Sequence, residues 1–384
     1  MKFLRKIKRT IRRGRVDKNL KRIVCITLVT ALVLTVAVKN HQYFPKIVTN
    51  LAVLSTALAL PEGTGGRTKT ETPPTPDLPP IQEENPPDTE AVSDAVVDIP
   101  TAPSYEVEEE DKGRIIEEKF SSTADKNAVI FGNGTIKNYT EKSLESIKTI
   151  LEIPWSETLT NDSQTVQVLI MHTHTTESYE PYDRDYYDEN YSARTLDENF
   201  NMIKVGNAIA KTLSENGIGV VHDTTIHDYP SYNGSYERSA ETVKTWLERY
   251  PTIKVVLDVH RDAIERTVNG ETVRVKPTTE IDGKKAAQIM IIAGCDDGKM
   301  NMPNYKQNLR FAAALQDRLE TDFSTLTRPL MFDYRKYNQD LTTGSILVEM
   351  GGHANSLDEA VYSGELLGKS LSTLLKTYMD ENGE

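Results

Sequence analysis

The chain has 384 residues, enough for one large domain or two, and a composition ordinary for a globular protein. Its formal charge of −12 is unevenly placed: residues 1–22 carry eleven Lys or Arg against the single Asp17, a balance of +10 that leaves −22 on the remainder. A basic flank on an acidic body argues against a nucleic-acid binder, whose positive charge would have to line a face of the body.

Behind this basic tail (residues 1–22) lie sixteen uncharged residues, Ile23 to Val38. They are slightly short for a spanning helix, but flanking lysines can snorkel, so residues 23–40 read as a transmembrane anchor with a cytoplasmic N-terminus. The rival reading is a cleaved signal peptide ending at Ala57-Leu58-Ala59, although the apolar region would then lie far upstream of its cleavage site. Cys25 falls inside the apolar segment, which leaves Cys295 without a partner; an exported protein lacking disulfides fits a Gram-positive cell surface. Residues 62–120 read as an acidic, Pro-rich linker, too poor in apolar residues to offset the entropy of ordering, and therefore disordered.

Residues 121–164 read as a small preface to the main domain, with a helix over Ser143 to Leu151. From 165 to 384 strands alternate with helices. Strand 166–171 precedes a helix over 199–215, with Met202, Val205, Ile209 and Leu213 on one face and Gly217 closing it. Strand 218–222, a helix over 236–249 and strand 253–259 follow. Residues 271–276 and 287–293 read as an antiparallel pair. A helix over 305–320 and strand 345–350 come next, then Ser356 and Glu359 as a capping box opening the last helix. This alternation predicts an α/β fold: a mostly parallel sheet with helices on both faces.

Three apolar strands run into chemically active residues: Val166 to Met171 into His172, His174 and Glu177; Ile253 to Val259 into His260; and Ser345 to Val348 into Glu349. Parallel strands ending in this way bring their termini to one sheet edge, where open α/β sheets bind ligands. Two imidazoles and a carboxylate with one open position are what a catalytic zinc needs. His174, Glu177 and His260 are the expected ligands, because a tight turn can close residues three apart onto one ion. His172 is the rival within the motif, with an outer-sphere or substrate-facing role as its alternative. Glu349 is the expected general base. Arg261 would hold a substrate carboxylate or an oxyanion, or else pair with Asp258 or Asp262. His222 could be a further ligand or, with the tyrosines that follow it, a wall for a polar substrate. Asn338 would touch substrate or cap a turn.

Taken together, His172-Thr-His174-Thr-Thr-Glu177-Ser-Tyr179, His222-Asp223, His227-Asp228-Tyr-Pro-Ser-Tyr232, Asp258-Val-His260-Arg261-Asp262-Ala263, Tyr337-Asn-Gln-Asp-Leu341 and Val348-Glu349 resemble the stage II sporulation protein P family. The match covers roughly residues 125 to 380, and the anchor and linker fit the same layout. The resemblance implies a Zn2+-dependent peptidoglycan hydrolase, an N-acetylmuramoyl-L-alanine amidase with endopeptidase activity on cross-linked stem peptides. It implies action at the sporulation septum during engulfment, beside stage II sporulation proteins M and D, the latter a lytic transglycosylase. It also implies a fold similar to the zinc amidases of cell-wall lysis. Those enzymes place their ligand glutamate at the start of the first helix, near Glu198 here, whereas this sequence also offers Glu177. On residues alone, a zinc carboxypeptidase shares the His-x-x-Glu pattern, and a wall-binding scaffold without activity is the third reading.

Overall fold

The computed structural model describes residues 106–121 and 126–379, all within a compact unit running from Pro86 to Glu384. The basic tail, the anchor and most of the Pro-rich linker lie outside the described residues. Among the described residues no helix is long and apolar enough to cross a membrane.

A short 3-10 turn (Glu109–Asp111) leads into β1 (Lys112–Glu118). Then come β2 (Ala128–Phe131), β3 (Gly134–Asn138), α1 (Leu144–Leu151), β4 (Val168–Met171), β5 (Tyr186–Asp188), α2 (Met202–Glu215), β6 (Val220–His222) and α3 (Ser235–Arg249). The second half holds β7 (Val255–Asp262), β8 (Glu265–Val268), β9 (Glu271–Ile281), β10 (Lys284–Ala287), β11 (Ile289–Gly294), α4 (Tyr305–Asp322), β12 (Leu330–Asp333), β13 (Gly344–Gly352) and α5 (Leu357–Lys376).

Eight strands form the main sheet in the order β2-β3-β12-β11-β13-β7-β4-β6. Five of its seven pairings are parallel, the exceptions being the β2–β3 hairpin and β11 against β13. The faces separate by residue parity. Val168 and Ile170 of β4 and Val255, Leu257 and Val259 of β7 join a core shared with α1, α2, α4 and α5. Leu169, Met171 and Val256 turn the other way and pack against Val243 and Trp246 of α3. Helices therefore cover both faces, as the alternation predicts. Ser356 and Glu359 form the expected reciprocal capping box, and Ser143 proves to be the N-cap of α1, accepting from Ser146 N–H. Gly217, at φ +79°, ends α2. That helix begins at 202 rather than 199, because the Asn201 side chain caps it by accepting from Ile203 N–H.

Three expectations need correction. Residues 112–118, within the span read as linker, are a strand: β1 lies between β9 (parallel) and β5 (antiparallel) in a second sheet ordered β10-β9-β1-β5, with β8 also on β9. With pairing partners on both edges, β1 is held by its main chain and buries only Gly113 and Ile115, so its side chains carry no strand signal. The antiparallel partners of β9 are β8 along 271–274 and β10 along 278–281, the latter through a turn in which Asp282 and Gly283 both have positive φ, and not residues 289–293. Those residues cross into the main sheet as β11. Finally, the stretch read as a small preface to the main domain extends the main sheet, because β3 pairs with β12, a four-residue strand too short to be recognised in the sequence.

Candidate functional site

Parity along β7 and β13 decides what reaches the sheet edge. Asp258 and His260 share the α3-facing side with Val256, and Glu349 shares it with Leu347, since Ile346, Val348 and Met350 face the opposite core. Glu349 is paired in register with His260 on the neighbouring strand. Just after Glu349 the register shifts. Gly351 sits there at φ +72°, where an added Cβ would lie 2.6 Å from the Ala287 Cβ. Such a bulge re-aims a strand end.

β4 ends in a turn over residues 173–176, and the Glu177 N–H donates to the His174 carbonyl at 3.1 Å. This turn sends the two histidines apart. His172 keeps the parity of Ile170 and points towards α2. Its Nδ1 lies 2.7 Å from the Val259 carbonyl and its Nε2 2.9 Å from His222 Nε2. Gly206 leaves room for the pair, since a Cβ there would approach both rings within 2.7 Å. His222 turns its other nitrogen to Asn207. Burial, followed by the neighbouring His222, pushes His172 down to about 3, so it is a neutral structural ring. Neither His172 nor His222 joins the group below.

That group is His174, Glu177, His260 and Asp258, all buried. His260 Nδ1 is 3.6 Å from Glu177 Oε2, and its Nε2 is 2.8 Å from Asp258 Oδ1, a contact whose angle falls short of a hydrogen bond. Asp258 is held by the Thr173 backbone N–H and hydroxyl. The His174 ring lies edge-on to His260 with centroids 5.1 Å apart. It stacks on Tyr232 at 4.5 Å, with Nε2 3.0 Å from the Tyr232 hydroxyl. Glu349 is half-buried, and its Oε2 has no hydrogen-bond partner.

The electrostatics of the group are dominated by its carboxylates. Burial opposes charge on His260, but Asp258 and Glu177 outweigh it and hold the imidazole well above its usual range. Burial likewise pushes Glu177 up, and Arg261 and His260 outweigh it, leaving the carboxyl well below its usual range. Two buried carboxylates thus draw a proton onto the ring between them, where positive charge is wanted. Burial first, and then His260 against the opposing pull of Glu177, bring His174 down to about 4, leaving it neutral as a metal ligand must be. Burial pushes Glu349 up to about 8, with Asp262 and Glu177 adding to it and His260 and Arg328 opposing.

Two imidazoles and a carboxylate fit zinc in donor chemistry, and Asp258 supplies the outer carboxylate that orients a ligating histidine. Among the described residues, no three His, Cys, Asp or Glu side chains stand already grouped to hold an ion. Both His174 nitrogens have hydroxyl neighbours instead, Tyr232 at 3.0 Å and Ser235 at 3.5 Å. Glu198 is exposed on the loop before α2.

Arg261 and Asn338 are placed otherwise than expected. The Arg261 side chain points away from His260, as its neighbouring position on a strand requires. It donates Nε to the Ser178 carbonyl at 3.0 Å and Nη2 to the Ala193 carbonyl at 2.8 Å, while its backbone N–H donates to Glu177 Oε2 at 3.1 Å. It braces the loop that carries Glu177. The Asn338 amide donates to the Tyr236 carbonyl and Ser239 hydroxyl, fastening the start of α3.

Arg194 had no role assigned from the sequence, and Asp258 only a candidate pairing with Arg261. Arg194 bridges Asp228 at 2.7 Å and Glu177 at 3.4 Å beneath the Tyr232 ring. It comes from a loop without periodicity, so no pattern marks it. Asp258, two residues before His260 on one strand, could have been found by parity.

The model of the stage II sporulation protein P family matches residues 77–372. A curated relative, the stage II sporulation protein P of Bacillus subtilis strain 168, is 30% identical over 204 residues, 50% of this chain and 47% of that one. The chain therefore spans about half the length of the curated relative it matches. Among solved structures, the N-acetylmuramoyl-L-alanine amidase AmiC2 of Nostoc punctiforme covers 56% of this chain and 96% of its own, at 13% identity and a TM-score of 0.33. The CwlD amidase of Clostridioides difficile, solved with the GerS lipoprotein, covers 55% and 98% at 11% identity and 0.33. A metallo-carboxypeptidase from Burkholderia cenocepacia covers 63% and 71% at 9% identity and 0.33. Likenesses this distant carry no weight for the chemistry.

Proposed function

The chain belongs to the stage II sporulation protein P family, and on that premise we propose that it is a zinc-dependent peptidoglycan hydrolase. Its reaction is that of an N-acetylmuramoyl-L-alanine amidase, with endopeptidase activity on cross-linked stem peptides. The observation that carries this reading is the meeting of His174, Glu177 and His260 with Glu349 on one face of the sheet edge.

His174, Glu177 and His260 would hold the zinc, with Glu177 preferred to the exposed Glu198. Zinc, when bound, supplies a Lewis acid that polarises a scissile carbonyl and acidifies water. Asp258 fixes the His260 ring, and Arg261 and Arg194 hold the Glu177 carboxylate in place. Glu349 takes the proton of the attacking water on its free Oε2 and hands it to the leaving amine. A cation among the neighbouring ligands favours its ionised, basic form. Tyr232 and Tyr236 offer ring faces to a sugar or peptide. The same reading places residues 23–40 in the membrane, the hydrolase outside it at the sporulation septum during engulfment, and stage II sporulation proteins D and M beside it.

Product analysis on purified wall tests the bond specificity. An amidase leaves glycan strands free of peptide, and its endopeptidase action shortens cross-links. Release of terminal amino acids alone would make the chain a carboxypeptidase instead.

A further inference from the structure

A second set of buried polar atoms, near the first, is left unmatched. On β9, Arg274 Nε and Nη1 are buried without hydrogen-bond partners, and so are His353 Nε2 and Glu180 Oε1. Their separations are alike. Arg274 Nε is 3.7 Å and His353 Nε2 3.8 Å from one oxygen, Glu265 Oε1, and Arg274 Nη1 is 3.8 Å from Glu180 Oε1. Charge attracts across the two arginine gaps only, since burial and then Arg261 and Arg274 push His353 down to about 2 and leave it neutral, and none of the three is a hydrogen bond. Buried donors left open in this way call for an explanation.

The donors are rigid and the carboxylate is not. The Arg274 guanidinium lies 3.8 Å from the Tyr187 ring centroid, a stacking that fixes its plane. His353 is 4% exposed, and its backbone N–H donates to the Asp262 carbonyl at 2.9 Å. Glu180 is fastened through its other oxygen to Arg184 Nε at 2.8 Å. The Glu265 side chain, by contrast, is 51% exposed, on the outward-facing strand β8. The cluster also lies close to the proposed reaction site. His353 comes four residues after Glu349, and Asp262 two after His260.

Resting on the hydrolase reading above, we propose that Arg274 and His353 form a subsite for a free carboxylate of the wall peptide, which displaces Glu265 from between them. A guanidinium edge and an imidazole N–H converging on one point suit the planar, twin-oxygen shape of a carboxylate. Glu265 Oε1 already stands near that point as an internal substitute.

The test uses the whole chain and one cross-linked muropeptide in two forms, with its carboxylates free or amidated. Binding is followed by calorimetry and turnover by chromatography. Wild type is expected to bind the free acid about 10- to 100-fold more tightly than the amide, with the difference in KM and kcat nearly unchanged. Arg274→Gln should abolish that preference. Glu265→Gln, an exposed change that leaves the fold intact, should tighten binding of the acid severalfold by removing the internal competitor. Equal binding of both forms by an active wild type, or weaker acid binding in Glu265→Gln, would overturn the subsite. An acid preference in binding without turnover of either form would uphold the subsite and refute the hydrolase reading.

Discussion

Replacing Arg261 by alanine separates a brace from a catalytic group. The side chain is buried and donates three hydrogen bonds, the two shorter ones to the Ser178 and Ala193 carbonyls and one of 3.5 Å to the Asp262 carbonyl. Ala193 keeps the Ser178 N–H as a second partner, so the heavier loss falls on Ser178. Each such bond is worth about 1.5–3 kcal/mol when its donor is removed, so Arg261→Ala should cost about 3 kcal/mol or more of stability. Arg261→Lys keeps the charge without the fork and should fall between the two. The assay is urea unfolding in excess chelator, where zinc cannot contribute. Metal-free stability within about 0.5 kcal/mol of wild type, together with lost turnover, would refute the bracing role and return Arg261 to the substrate.

Three more outcomes follow from the geometry. Glu349→Gln should keep zinc in metal analysis and lose turnover by about 100-fold or more, since it removes only the proton acceptor; zinc lost with it would make Glu349 a ligand. Tyr232→Phe frees His174 Nε2 from its hydroxyl neighbour and should tighten zinc binding by about 2- to 10-fold in a chelator competition, the worth of one neutral hydrogen bond; weaker binding would show that the hydroxyl supports the site. Acid should loosen β1 before the main sheet. Burial raises the Glu117 and Asp183 carboxyls, but bonds from Lys276 and Lys285 outweigh it and hold both below their usual values. Their contribution is therefore complete above about pH 4, the unfolded carboxylate value, and is lost as pH falls through the lower folded values. Hydrogen exchange across residues 112–118 should rise in that window ahead of β4 and β7, and simultaneous loss would contradict the pairing.

What the sequence disclosed depended on which forces left a pattern in it. Strands β4, β7 and β13 are buried on both faces, so they read as apolar runs, and the residues ending them could be placed on one edge. Ser356 and Glu359 announced the last helix because a cap is a local interaction. β1, β8 and β10 left no trace, because they are short strands held largely by main-chain pairing, with few buried side chains to set a period. The divergence of His172 from His174 depended on where β4 stopped, which a run of threonines does not show. Arg261 was misjudged for a different reason: next to His260 in sequence, it lies on the opposite side of the strand, and its carbonyl partners come from a loop 68 to 83 residues away.

Zinc content of wild type, Glu177→Ala and Glu198→Ala, measured beside peptide release from purified wall, tests the central claim most directly. One zinc per chain with peptide release in wild type, both lost in Glu177→Ala and both kept in Glu198→Ala, is the predicted result. Zinc retained without Glu177, or a wild type that binds no zinc and releases no peptide, would contradict it.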